Sequence, residues 1–201
     1  MVACQELGPR QAQALAAAYP HGHLAPREDH HGGGIALVRP GLVERLPLRG
    51  RDGFRVELSP DAWPGLPAPI EVLNVHIYAP HAEAGRGLLR RGPQLEDLEV
   101  HLRAGDGKAR VVVGDFNATP LWPVYRRMRR LMEDGALQAA RRQGERPRAT
   151  WSPRPWLPSL LRIDHGFVSG VSLESFRVVP LPDSDHDAIV LDLDLGGDVL
   201  R

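Results

Sequence analysis

The run Val111-Val112-Val113-Gly114-Asp115-Phe116-Asn117-Ala118-Thr119-Pro120 constrains this chain more than any other stretch. Three β-branched residues in succession predict a strand buried on both faces. Gly114 allows a turn or a close approach to the backbone. In extended chain, residues two apart point to the same side, so Asp115 and Asn117 aim a carboxylate and a carboxamide at one spot just where the strand ends. Two readings stand open on these residues alone. One is an Asx turn that closes a core strand. The other is a site of hard oxygen donors, suited to Mg²⁺ or to a phosphate bound through a metal.

Around this run the chain alternates short apolar segments with amphipathic ones. Val2–Cys4 reads as the end of a strand, and Pro9–Tyr19 as a helix with proline in its first turn and Pro20 as its stop. This puts Glu6 on a strand-to-helix corner. Ile35–Val38, 43–48 and 54–58 read as strands, and 60–69, with four prolines, as a loop. Ile70–Tyr78 is a longer strand with Asn74, His76 and Tyr78 on one face. Leu88–Leu102 is a helix shortened by Pro93, and Leu121–Asp134 an amphipathic helix with a solvated arginine face. Residues 141–162 form a long loop rich in Arg, Pro and Trp, of the length that tends to serve function. Trp151 and Trp156 are candidates for a substrate rim or for packing over the core. Near the end, Ile163-Asp164-His165 and Ser184-Asp185-His186 each bring an Asp-His pair to the mouth of a strand. His186 can accept a proton from water if a second carboxylate orients it, and Asp164 can be that carboxylate.

Composition narrows the options. The 201 residues suit one domain and are 42% hydrophobic, enough for a normal core. No apolar run approaches the ~20 residues of a membrane span. The start has neither a basic region nor a long apolar region of the signal-peptide kind. With one cysteine, Cys4, no internal disulfide forms, and a cytoplasmic location is the expectation. Net charge is zero, so there is no global pull towards nucleic acid or anionic membrane. All but one of the basic residues are arginine, whose fork suits phosphate.

The order Gln5-Glu6, Asn74-Val75-His76, Gly114-Asp115-Phe116-Asn117, Ile163-Asp164-His165 and Ser184-Asp185-His186 resembles the endonuclease/exonuclease/phosphatase superfamily, the family of DNase I and the apurinic endonucleases. Gly-Asp-Phe-Asn-Ala-Thr-Pro followed by Trp122, with the later Thr150-Trp151, is similar to a bacterial branch whose members often carry N-terminal membrane helices. The resemblance covers nearly the whole chain and implies an α/β fold. That fold is a four-layer sandwich in which two mixed β-sheets pack face to face with helices outside, over a single domain spanning 1–201.

The resemblance also implies roles. Glu6 would be the main ligand of Mg²⁺ or Mn²⁺, with Asp185 supporting the metal side. Asp115 and Asn117 would position the attacking water and the scissile phosphate. His186 would be a general base or a phosphate contact, with Asp164 as its orienting acid, and His76 would sit against the phosphate oxygens. The activity implied is divalent-metal-dependent hydrolysis of a phosphate ester, with nucleic acid, a phospholipid head group or a small ester as substrate. In the family a first strand bearing a metal-binding asparagine precedes the Gln-Glu motif, and this sequence begins about where that motif begins. The alternative reading is therefore a non-catalytic relative that acts as a binding module. Retention of Glu6, Asp115, Asn117, Asp164, Asp185 and His186 argues for the enzyme.

Overall fold

A computed structural model describes residues 1–194 apart from 30, 81, 83–85, 106 and 155. His30 lies outside the described residues, as does the end of the chain from 195 to 201. In chain order the elements are β1 (Val2–Gln5), α1 (Pro9–Ala18), β2 (His21–Ala25), β3 (Gly33–Leu37), β4 (Val43–Leu46), β5 (Gly53–Leu58), β6 (Ile70–His76) and α2 (Gly87–Ala104). There follow β7 (Arg110–Asp115), α3 (Pro123–Met128), β8 (Glu133–Asp134), α4 (Gly135–Gln143), β9 (Asp164–Ser169), β10 (Ser172–Val179) and β11 (Ala188–Asp194).

The main sheet has six strands in the order β4-β5-β6-β7-β9-β8, with β6 and β7 parallel and its other pairs antiparallel. The helix α2 provides the crossover that a parallel β6–β7 pair requires. Side chains alternate along β6 and β7. Leu73, Val75, Ile77 and Val112 face Leu95, Leu98 and Leu102 of α2 and Val124 and Met128 of α3. Val72 and Val111 face the other way, towards Ile35 and Leu37 of β3. This period-two split is why the strands read as continuous apolar runs: both faces are covered. The second layer comes in two antiparallel pieces, β1-β3-β2 and β10-β11. β1 lies over β6 and β7, and β11 over β9. Among the described residues β1 pairs only with β3, so its other edge is open.

The structure departs from the sequence reading in the middle third. The expected helix over 121–134 is only α3; the rest is a turn and the short β8, and α4 begins at Gly135. Asp134 explains the break. Its carboxylate caps α4 by accepting from Leu137 N, and it is gripped bidentately by Arg162 at 3.0 and 2.7 Å. A residue committed to a cap and to a buried ion pair cannot sit inside a helix. The expected loop from 141 accordingly starts only after Gln143. β2 was also unforeseen, because His-Gly-His lacks the apolar alternation of a strand; it forms by pairing in register with β3.

At the far end of β6 from the site, Glu71 is 4% exposed. Burial alone would raise its pKa, but hydrogen bonds from His101 and Arg110 and their charges outweigh it and hold the carboxyl at about 2. Its ordinary value is 4.5. The stabilisation is therefore fully present above pH 4.5 and is lost as pH falls towards 2. Glu71→Gln is expected to cost on the order of 2–3 kcal/mol at neutral pH. It should also flatten the pH dependence of denaturant unfolding between pH 4.5 and 2; an unchanged acid limb would show that the pair contributes nothing.

Candidate active site

Strand register assembles the site. His76 on β6 stands opposite Asp115 on β7, and Asp115 stands opposite Asp164 on β9. The three residues form a row across the end of the main sheet and face the second layer. Gly114, at φ 143°, lies so close to β6 that an added Cβ would fall 1.9 Å from the carbonyl of Val75. Glycine is thus required for His76 and Asp115 to sit side by side.

Each member of the row is held by its neighbours. Asp115 accepts from the backbone and side-chain nitrogens of Asn117 at 2.7 and 2.6 Å, and Asn117 Nδ2 also donates to the carbonyl of Ile77 at 3.0 Å. The Asx turn and the polar site, separate readings of the sequence, are thus one structure. Asn117 adopts a left-handed conformation, φ 47°, and so does Glu6, φ 52°. Asparagine tolerates this, but glutamate does so at a cost of about 1–3 kcal/mol, a strain characteristic of functional positions. Glu6 Oε1 lies 3.9 Å from His76 Nε2, and Asp115 Oδ2 lies 3.4 Å from the same nitrogen. The Glu6 side chain is 56% exposed.

His186 arrives from the loop before β11. Its Nδ1 lies 2.9 Å from Asp164 Oδ2, the orienting contact expected from the sequence. Burial disfavours charge on this ring. The hydrogen bond to Asp164 and the fields of Asp164, Asp115 and Asp185 outweigh burial and push its pKa up to about 9. Asp185, next door, accepts from Trp151 Nε1 at 3.1 Å. Thr150 Oγ1 accepts from the backbone nitrogens of Ile163 and Asp164 at 3.2 and 3.1 Å, which fixes the start of β9. The fully buried His165 donates from Nε2 to the carbonyl of Ala118 at 2.7 Å, tying the loop after β7 to β9. Burial, then the charge of Arg162, push its pKa down to about 4, so it serves as a neutral strut.

Several residues of the site were not foreseen. Arg51, in the turn between β4 and β5, places Nη1 2.6 Å from His76 Nδ1. A guanidinium only donates, so Nδ1 is the acceptor and the ring proton sits on Nε2, facing Glu6 and Asp115. Arg91 reaches from α2 to the carbonyl of Asn117 at 2.9 Å, and Gln5 donates to Asn74, whose amide holds the carbonyls of Cys4 and Gly34. A lone turn arginine carries no sequence signal. Asn74 was legible from its place on the His76 face.

The donor chemistry fits a divalent cation of the Mg²⁺ type. Glu6 and Asp185, the carboxylates expected from the sequence to hold it, are hard oxygen donors, and Mg²⁺ is usually held by one or two carboxylates while it keeps several waters. Among the described residues no group of three or more His, Cys, Asp or Glu is spaced as a ready-made metal cage.

With this geometry in view, the comparisons are decisive at the level of family. The model of the Endonuclease/Exonuclease/phosphatase family matches residues 2–186. The chain belongs to that family. Among solved structures it is similar to a functionally unknown conserved protein from Enterococcus faecalis V583 (18% identity, TM-score 0.69, covering 96% of this chain and 84% of that one). It is also similar to the 3'-5' exonuclease NExo from Neisseria meningitidis (18%, TM-score 0.69, 94% and 86%). A third is an endonuclease/exonuclease/phosphatase from Bacteroides vulgatus (19%, TM-score 0.68, 96% and 84%). At these identities the likeness is one of fold. No curated protein matches the chain. The family's sandwich of sheets and helices is the fold expected from the sequence.

Arg51→Met is expected to release the His76 tautomer. Long-range ¹H–¹⁵N spectra should show the ring proton on Nε2 alone in the native protein and spread over both nitrogens in the variant. The same pattern in both proteins would remove Arg51 from this role.

Proposed function

We propose that the protein is a divalent-metal-dependent phosphoesterase that hydrolyses a phosphate ester by attack of water on phosphorus. The observation that carries this reading is the in-register row His76–Asp115–Asp164, completed by His186 on Asp164. A binding module has no need of a histidine paired to a buried carboxylate beside a second carboxylate clamped by its own asparagine.

In this reading Asp115 orients the attacking water and takes its proton, while Asn117 holds the carboxylate and faces the phosphate. His186 contacts a phosphate oxygen through Nε2. Its Nδ1 is held by Asp164, and the carboxylate stabilises positive charge on the ring where negative charge builds on phosphorus. His76 presents Nε2–H from the opposite side of Asp115 as a second donor to the phosphate. Glu6 and Asp185 would hold Mg²⁺ or Mn²⁺, which when bound would neutralise charge on the phosphate. The Trp151 bond to Asp185 and the Arg51 bond to His76 position side chains without touching the substrate.

The test is turnover of bis-p-nitrophenyl phosphate with Mg²⁺ or Mn²⁺, against an EDTA control. Metal-dependent hydrolysis is expected, reduced about 100-fold or more by Asp115→Ala and by His186→Ala in folded protein. Absence of turnover from protein shown by circular dichroism to be folded, or turnover that survives both changes, would overturn the assignment. Glu6→Gln should raise the Mg²⁺ concentration needed for half-maximal rate; an unchanged titration would take Glu6 out of the metal site.

A further inference from the structure

The chain leaving β6 outruns the neighbouring strand β5. Their pairing ends with Phe54 opposite Asn74, so from His76 to Tyr78 the backbone has β7 on one side and, among the described residues, no strand on the other. On the β7 side Ile77 N donates to Asp115 O at 2.8 Å. On the open side a side chain takes the strand's place. Gln94 of α2, fully buried, accepts from Tyr78 N at 3.0 Å and donates from Nε2 to His76 O at 2.9 Å. One carboxamide supplies the donor and the acceptor that a residue of an adjacent strand would supply.

The same amide reaches the turn that carries Arg51. Gln94 Nε2 donates to Arg51 O at 3.2 Å, and Arg51 Nη1 lies 2.6 Å from His76 Nδ1. Tyr78 closes the group. Its hydroxyl donates to Gly50 O at 2.9 Å, and the Arg51 guanidinium lies over its ring, 5.0 Å from the centre. One turn further along α2, Asp97 accepts from Arg49 N at 2.7 Å and from Arg49 Nε at 3.0 Å, so the turn is pinned to the helix at two points. The backbones of His76 and Arg51 and the contact between their side chains thus form a closed ring with Gln94.

The chemistry of the amide makes it hard to replace. Its nitrogen has two hydrogens to donate and its oxygen accepts, and here nitrogen and oxygen are both bonded to backbone groups. Its helix neighbours Leu95 and Leu98 belong to the core, where a polar side chain is tolerated only when it is bonded. An ionised glutamate has the size and the acceptor but no donor, and asparagine is shorter by a methylene. Because a single nitrogen bonds both carbonyls, it fixes the separation of His76 and Arg51. That separation keeps the guanidinium against Nδ1 and so decides where the ring proton sits.

We propose that Gln94 is a positioning residue for the hydrolysis: it continues the ladder of β6 past the end of β5 and ties the backbone of His76 to that of Arg51, so that the His76 ring presents its Nε2 proton to the site. The consequence for turnover rests on the phosphoesterase reading above. The consequence for the ring proton does not.

Two variants of the full chain test this. Gln94→Glu keeps the acceptor for Tyr78 and removes the donations to His76 and Arg51, and Gln94→Met keeps the volume and removes every bond. Leu98→Ala, one turn further along α2 and fully buried, is the control for lost stability alone. With bis-p-nitrophenyl phosphate, kcat should fall about 10-fold or more in both Gln94 variants while KM moves by less than about twofold, because the amide touches no substrate. Long-range ¹H–¹⁵N spectra should place the His76 proton on Nε2 alone in the native protein and in Leu98→Ala, and over both ring nitrogens in the Gln94 variants. Native kcat and a native His76 spectrum in folded Gln94→Glu would overturn the proposal. So would the same changes in Leu98→Ala at an equal loss of melting temperature. A fall in kcat with the His76 spectrum unaltered would overturn the route through His76. In the native protein a coupling across the hydrogen bond from Gln94 Nε2 to the carbonyl carbon of His76 is expected, and its absence would overturn the contact whether or not the variants fold. Absence of turnover from folded native protein would count against the phosphoesterase reading and leave the spectra to decide the role of Gln94.

Discussion

The site depends on the pairing of β7 between β6 and β9. Because the register sets His76, Asp115 and Asp164 opposite one another, three polar side chains from residues far apart in sequence meet at one sheet end. A slip of one residue on β7 would turn Asp115 towards the helix layer and Val112 towards the second layer. The apolar residues of β7 resist that slip: Val112 is fully buried against the helices, and Val111 is buried against the second layer. Core packing thus fixes the chemistry's geometry.

Charge at this end is balanced by fixed partners on every side. Asp115 has Asn117, Asp164 has His186 and the backbone held by Thr150, and His76 has Arg51. Behind them the buried Arg162–Asp134 pair, with Tyr125 donating to Asp134, anchors the chain just ahead of Asp164. Removing one partner of such a pair leaves an uncompensated buried charge, a far larger loss than the pair's net worth. The neutral His165 completes the brace between β9 and the loop after β7. Against this rigid frame Glu6 stands out: a strained backbone and an exposed carboxylate, with His76 Nε2 3.9 Å away.

Much of this was legible in the sequence. The Val triplet, Gly114 and the Asp-x-Asn spacing predicted the central strand and its polar mouth, and the Asp-His pairs predicted the contact between Asp164 and His186. Local sequence did not disclose which groups support them, because those contacts span the chain. Arg51 reaches His76 across 25 positions and Trp151 reaches Asp185 across 34. The over-long helix at 121–134 failed for the same reason. Its amphipathic pattern is real, but Asp134 is claimed by Arg162, 28 residues further on. The strand β2 had no periodic signal of its own and depends on β3 for its existence.

The central claim is that Asp115 and His186 act as parts of one hydrolytic unit. A double-mutant cycle on kcat tests it most directly, with Asp115→Ala, His186→Ala and the combined variant compared on the same phosphodiester and each shown to be folded. If they work on one transition state, the combined variant should be little worse than either single change. Losses that multiply independently would contradict the account.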